Sequence, residues 1–172
     1  MTHWTHPHGT GEAAAVLASR RDHASLSDSL DRRVEALLVA VETAPADIPE
    51  AGRQVVACCE RQLLPHALAE ERSIYPVAAT DGRTRLLIEA MTAEHRTIAE
   101  LVEVVRYAVH PVRAAAAAEG VRVLFETHVA KEDSIVYPLV AAAPGLSLET
   151  LLAGMHEMLG SDDHAPQPPA SA

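Results

Sequence analysis

The chain has 172 residues, a formal net charge of −10, 48% hydrophobic residues and only 3% aromatics. That is one domain's worth of sequence, long enough to bury a core without disulfide staples, and its alanine-rich composition suits closely packed helices. The acidic balance repels phosphate backbones and argues against nucleic-acid binding. Cys58 and Cys59 are sequence neighbours, which rarely bridge, so a reduced, cytoplasmic setting is expected. The start, MTHWTHPHGTG, has no basic n-region or apolar h-region. No apolar run approaches the ~18 residues that span a bilayer, so no membrane partner is expected.

Residues 1–11 carry Pro7 and Gly9 and read as a flexible N-terminal arm. A helix is expected from about Glu12 to Thr43, with apolar positions Val16, Leu26, Leu30, Val34, Leu37, Leu38 and Val41. Pro45, Asp47 and Pro49 break it. A second helix runs from about Glu50 to Val77, with a kink or restart at Pro65, because proline removes a backbone bond. Thr80, Asp81 and Gly82 form a turn, with Thr80 or Asp81 as N-cap of a third helix, about Arg83 to Val109. A fourth helix follows from about Val112 to Ala142 and stops at Pro144 and Gly145. A short fifth, SLETLLAGMHEML, starts at the N-cap Ser147, and a disordered tail covers 161–172. Strand signals are absent. The expected fold class is all-α: an antiparallel up-down four-helix bundle over 12–143, with a short C-terminal helix over 144–160.

Two stretches match without gaps at an offset of 62 residues. QLLPHALAEERSIYP (62–76) superimposes on LFETHVAKEDSIVYP (124–138), setting His66 on His128, Glu70 on Glu132, Glu71 on Asp133, and Tyr75 on Tyr137. A shorter match pairs DHASL (22–26) with EHRTI (94–98) and sets His23 on His95. Each half is thus a helix with one histidine followed by a helix with H-x-x-x-E. Residues i and i+4 project from one helical face. At ~1.5 Å per residue, in an up-down bundle, all six side chains fall at one height.

Four imidazoles and two carboxylates suit iron, manganese or zinc, whereas a thiolate-rich set would suggest structural zinc. If each carboxylate bridges two ions and each ion takes a histidine pair, positions stay open for ligands or chemistry. The expected metal residues are His23, His66, Glu70, His95, His128 and Glu132. Cys59 and Met91 read as core residues, with Met91 facing the site. Tyr75 and Tyr137 read as packing or helix-end residues, half a turn round from their histidines. His110 reads as a helix C-terminal residue, His156 as a surface or packing residue, and Arg20, Arg21, Arg32 and Arg33 as a solvated face. His3, His6 and His8 fall on the arm.

The succession DH-x-x-L, H-x-x-x-E-E-x-x-x-Y-P, EH-x-x-I and H-x-x-x-E-D-x-x-x-Y-P resembles the hemerythrin-like (HHE cation-binding) family over roughly residues 13–142. The resemblance implies two non-haem iron ions, oxo- or hydroxo-bridged, and oxygen binding or reaction with dioxygen, peroxide or nitric oxide. It leaves open a peroxide- or nitric-oxide-directed redox enzyme, a non-catalytic iron, oxygen or redox sensor, and an iron-binding storage protein. The oxygen carriers of the family have a fifth histidine one turn from the third-helix ligand; here Met91 and Ala99 stand in those places. Redox reactivity or sensing is therefore expected over oxygen transport. Glu71 and Asp133 are alternative ligands or partners of the imidazoles.

Overall fold

The computed structural model describes residues 9–162, which are helical throughout apart from turns, with no strand among them. Helix α1 (Gly9–Thr43) is the longest and begins inside the segment read as an arm. A 3₁₀ turn (Pro45–Asp47) leads into α2 (Ile48–Cys58), where Pro49 occupies the first turn and removes an amide that has no helical partner anyway. Helices α3 (Leu64–Arg72), α4 (Ile74–Ala78), α5 (Arg85–Tyr107), α6 (Pro111–Lys131), α7 (Tyr137–Ala142) and α8 (Leu148–Asp162) follow. The remainder of the expected arm and nearly all of the expected tail lie outside the described residues, as do His3, His6 and His8.

Each proline inside a helical stretch is relieved by a local defect just before it. A π turn (Cys59–Leu63) precedes Pro65, a break at Ser73 precedes Pro76, and a second π turn (Glu132–Val136) precedes Pro138. A widened or interrupted turn dispenses with the missing amide and moves the i−4 carbonyl away from the ring. The kink expected at Pro65 is therefore a π turn. Two expectations at helix ends are corrected. The N-cap of α5 is Thr84, without a side-chain cap, while Asp81 Oδ1 accepts from the Arg83 amide at 2.9 Å within the turn. His110 is not a helix C-terminus; it is the N-cap of α6, its carbonyl accepting from the amides of Arg113 and Ala114.

Packing divides the core in two. One apolar cluster joins Leu30, Val34 and Leu37 of α1 to Val55, Val56, Cys59 and Leu63, then Ile98, Val102 and Val105 of α5, and Val121, Phe125 and Val129 of α6. The other joins Ala15, Ile74, Tyr75, Ile88, Met91, Val136, Tyr137 and Val140 to Leu148, Leu152 and Met155 of α8. Between the clusters lie the buried polar residues His23 of α1, His66 and Glu70 of α3, His95 of α5, His128 of α6 and Glu132 of the second π turn. Helix α1 packs on α2, α6 and α8, and α5 packs on α2 and α6. Helix α8 covers the second cluster. It is preceded by Gly145 at φ +80°, a left-handed turn position that favours glycine. Its start is held by Ser147 Oγ, which accepts from the Thr150 amide at 3.2 Å, and by Glu12 Oε2, which accepts from the Leu148 amide at 2.8 Å. Cys58 and Cys59 are free and buried, and burial pushes the Cys59 thiol up to about 12. It is the core residue the sequence implies.

Candidate metal centre

The six residues singled out by the repeat come together in one buried layer: His23 from α1, His66 and Glu70 from α3, His95 from α5, His128 from α6, and Glu132 at the second π turn. Glu70 Oε1 lies 3.0 Å from His66 Nε2 and 3.6 Å from His23 Nε2, while its Oε2 lies 3.7 Å from His95 Nε2. Glu132 does the converse. Its Oε2 is 3.5 Å from His23 Nε2 and its Oε1 is 3.5 Å from His128 Nε2. Each carboxylate thus turns one oxygen to the His23–His66 pair and the other to the His95–His128 pair. Two overlapping groups, His23–His66–Glu70 and Glu70–His95–His128, hold their donor atoms within 4.8 Å of one another, close enough to share an ion in each.

Outside this layer, carboxylates orient the rings. Asp133 Oδ1 accepts from His23 Nδ1 at 2.9 Å, Glu71 Oε1 from His95 Nδ1 at 2.8 Å, and Glu94 Oε2 from His128 Nδ1 at 2.8 Å, with Lys131 also paired to Glu94. Glu71 and Asp133 are partners of the imidazoles rather than members of the inner set. These bonds place the proton of each neutral ring on Nδ1 and leave the Nε2 lone pair facing inward.

The tyrosines occupy a different place from the one expected. Tyr75 Oη donates to Glu132 Oε1 at 2.7 Å and lies 3.0 Å from His128 Nε2; Tyr137 Oη donates to Glu70 Oε1 at 2.5 Å. Each repeat lends its tyrosine to the other repeat's glutamate. On an uninterrupted helix both rings would point away, but in a π turn residues i and i+5 line up. The Tyr137 amide accordingly reaches back to the Glu132 carbonyl. In the first repeat the helix breaks instead at Ser73, between Glu70 and Tyr75, where the Ser73 amide reaches the carbonyls of Ala69 and Glu70. The prolines that close both motifs were the available signal. Glu94 was also missed, although its place directly before His95 matches that of Asp22 before His23. Met91 is fully buried, among Ile88, Tyr75 and Tyr137 in the second apolar cluster.

A cation answers what the protein atoms leave unbalanced. His23 Nε2, His66 Nε2 and Glu132 Oε2 are buried without a hydrogen-bond partner, an arrangement that costs free energy when nothing compensates it. His95 Nε2 and His128 Nε2 stand 2.9 Å apart, within hydrogen-bond distance of each other. The imidazole and carboxylate donors fit a first-row divalent ion. The charges are strained in the same sense. Burial would lower His23, but its bond to Asp133 and the charges of Glu70 and Glu132 carry it up to about 10. Burial would raise Glu70, yet His66 and His23 hold it well below the usual carboxylate range; burial and the Glu70 charge push Glu132 up. Two carboxylates this close resist ionising together.

A helical chain with a buried layer of four histidines and two glutamates, each glutamate facing both histidine pairs, is built to bind cations. The chain belongs to the hemerythrin HHE cation-binding domain family, whose sequence profile matches residues 16–140. Nothing matches the chain among curated proteins or among solved structures.

The tyrosine geometry carries a direct test. Burial and the carboxylates keep both phenols protonated, so they act as donors. Tyr137→Phe removes the donor to a charged, buried oxygen and should destabilise the metal-free chain by about 1.5–3 kcal/mol. Urea unfolding measures it, and a cost near zero would mean that the hydroxyl does not hold Glu70.

Proposed function

We propose that residues 12–143 form an antiparallel up-down four-helix bundle holding two non-haem iron ions, with residues 144–160 as an accessory helix. The bundle reading is supported by the packing of α1 on α2, α2 on α5, α5 on α6 and α6 back on α1. The ligands proposed are His23, His66, Glu70, His95, His128 and Glu132. The observation that carries the reading is the double-facing placement of Glu70 and Glu132, which a single ion would not require. Iron held there would supply redox chemistry and binding of small oxidants such as dioxygen, peroxide or nitric oxide.

The chain's own residues give that chemistry its setting. Tyr75 and Tyr137 hold one oxygen of each carboxylate from the side of the second apolar cluster. Asp133, Glu71 and Glu94 keep three imidazoles in the tautomer that presents Nε2. The apolar clusters above and below exclude bulk water and raise the strength of every charge interaction between them. Among the described residues no helix is long and apolar enough to cross a membrane, and two free buried thiols accord with a reducing cytoplasm.

Metal analysis with the visible spectrum tests the reading. Freshly purified protein from iron-sufficient medium should carry about two irons per chain, as the two facing histidine pairs require, with absorption at wavelengths beyond the protein band. One metal per chain, or stoichiometric zinc, would overturn it.

A further inference from the structure

The duplication sets up an expectation that one residue breaks. Glu94 precedes His95, and its carboxylate holds His128 Nδ1. By the same logic Asp22, which precedes His23, is the residue that would hold His66. Its Oδ2 instead lies 3.2 Å from Nε2 of His156. That histidine belongs to α8, which stands outside the repeat. Among the described residues, the polar contact His66 makes is through Nε2 to Glu70. His23, His95 and His128 are each backed by a carboxylate at Nδ1; His66 is not.

What lies beside His66 is a groove of about 690 Å³ between α1, the first π turn and α8, with Asp22, Ser25, Gln62, Pro65 and His156 in its walls. Four other cavities among the described residues, of about 420 to 650 Å³, have no member of the six-residue layer in their walls. Entry past His23, His95 or His128 means breaking a short, charge-assisted hydrogen bond. His66 itself lines the groove, whose walls also carry the Asp22–His156 contact between two side chains that are each about half exposed, at 46% and 52%. Such a pair holds weakly.

We infer that this groove is the route by which metal ions and ligands of two or three heavy atoms reach the centre, with the Asp22–His156 pair as a bar across its mouth. The inference rests on the metal reading above. An imidazole without a carboxylate behind it is a weaker donor and turns more freely. The ion held by His23 and His66 is therefore the more exchangeable of the two, and it is the one an incoming ligand meets.

Azide, followed spectroscopically on the iron-loaded protein, is the probe. Ser25→Trp places a bulky ring on the groove wall from an exposed position of α1; Thr97→Trp, on an exposed face of α5, is the control. Ser25→Trp should slow azide association about tenfold or more, with dissociation slowed alike, because a steric bar leaves affinity unchanged. His156→Ala should speed both, and Thr97→Trp should behave as the parent chain. A readout without metal runs beside it. Brief carbethoxylation of the metal-free chain, mapped by mass spectrometry, should mark His66 before His23, His95 and His128, and Ser25→Trp should suppress that mark. Equal azide rates in both tryptophan variants, or another of the four histidines marked first, would overturn the route. A parent chain with fewer than two metals would sink the metal reading alone, because the order of labelling still judges the route.

Discussion

Glu70→Ala should strip the chain of both metal ions rather than one. One Glu70 oxygen faces His66 and His23 and the other faces His95, so its removal takes a donor from each proposed half-site at once. It also leaves Tyr137 Oη without its acceptor and removes half of the negative charge that offsets two cations in a buried layer. Glu132→Ala should act alike from the opposite side, through its contacts with His23 and His128. The loss should exceed the roughly 10–100-fold fall in affinity that removing a carboxylate behind an imidazole causes, as in Glu94→Gln. His66→Ala, by contrast, should release one ion and retain the other, since it faces a single half-site. The measurement is metal per chain after dialysis, with helical circular dichroism to confirm folding. A Glu70→Ala protein that keeps its full complement would sink the bridging assignment.

The second large effect is on stability. Chelating the metals should lower the melting temperature by about 10 °C or more. A ligand present at ~1,000 times its dissociation constant stabilises the folded chain by roughly 4 kcal/mol, and in a chain of this size each kcal/mol shifts the midpoint by about 2–4 °C. The physical source is already in the layer: three buried polar atoms without partners and two carboxylates that resist ionising together. A metal satisfies both at once. Glu132→Gln removes one of the two charges at nearly constant shape, so its metal-free form should melt higher than the parent's while binding metal poorly. Scanning calorimetry with and without chelator reads both. A metal-free parent as stable as the loaded one would mean that the layer is satisfied by its own hydrogen bonds.

Much of this could be read from the residues, and the exceptions share a cause. Helical periodicity and the absence of strand signals mark the chain as all-helical, and the duplicated H-x-x-x-E places six side chains at one level because the helix has a constant rise. What could not be read is anything that depends on helix phase after a defect. Tyr75 and Tyr137 lie beyond an interruption that turns them back toward the cluster; counting 100° per residue sends them the wrong way. His110 looked like a helix end because Pro111 follows it, whereas proline is as much at home in a first turn. The missing partner of His66 was hidden for a different reason: it depends on α8, which has no counterpart in the repeat and whose packing on α1 is purely tertiary.

The interrupted core also bears on how the chain holds its shape. With no disulfide, the two apolar clusters are joined by the helices that run through both and by the hydrogen bonds of the layer between them, and such units can open separately. The layer between them draws on α1, α3, α5 and α6, so ions bound there would act as cross-links closing long loops from His23 to Glu132. The two cysteines are packed away in one of the clusters, and a pair of metal ions would do for this chain what a set of disulfides does for a secreted one: shrink the unfolded ensemble and make the two ends melt as one.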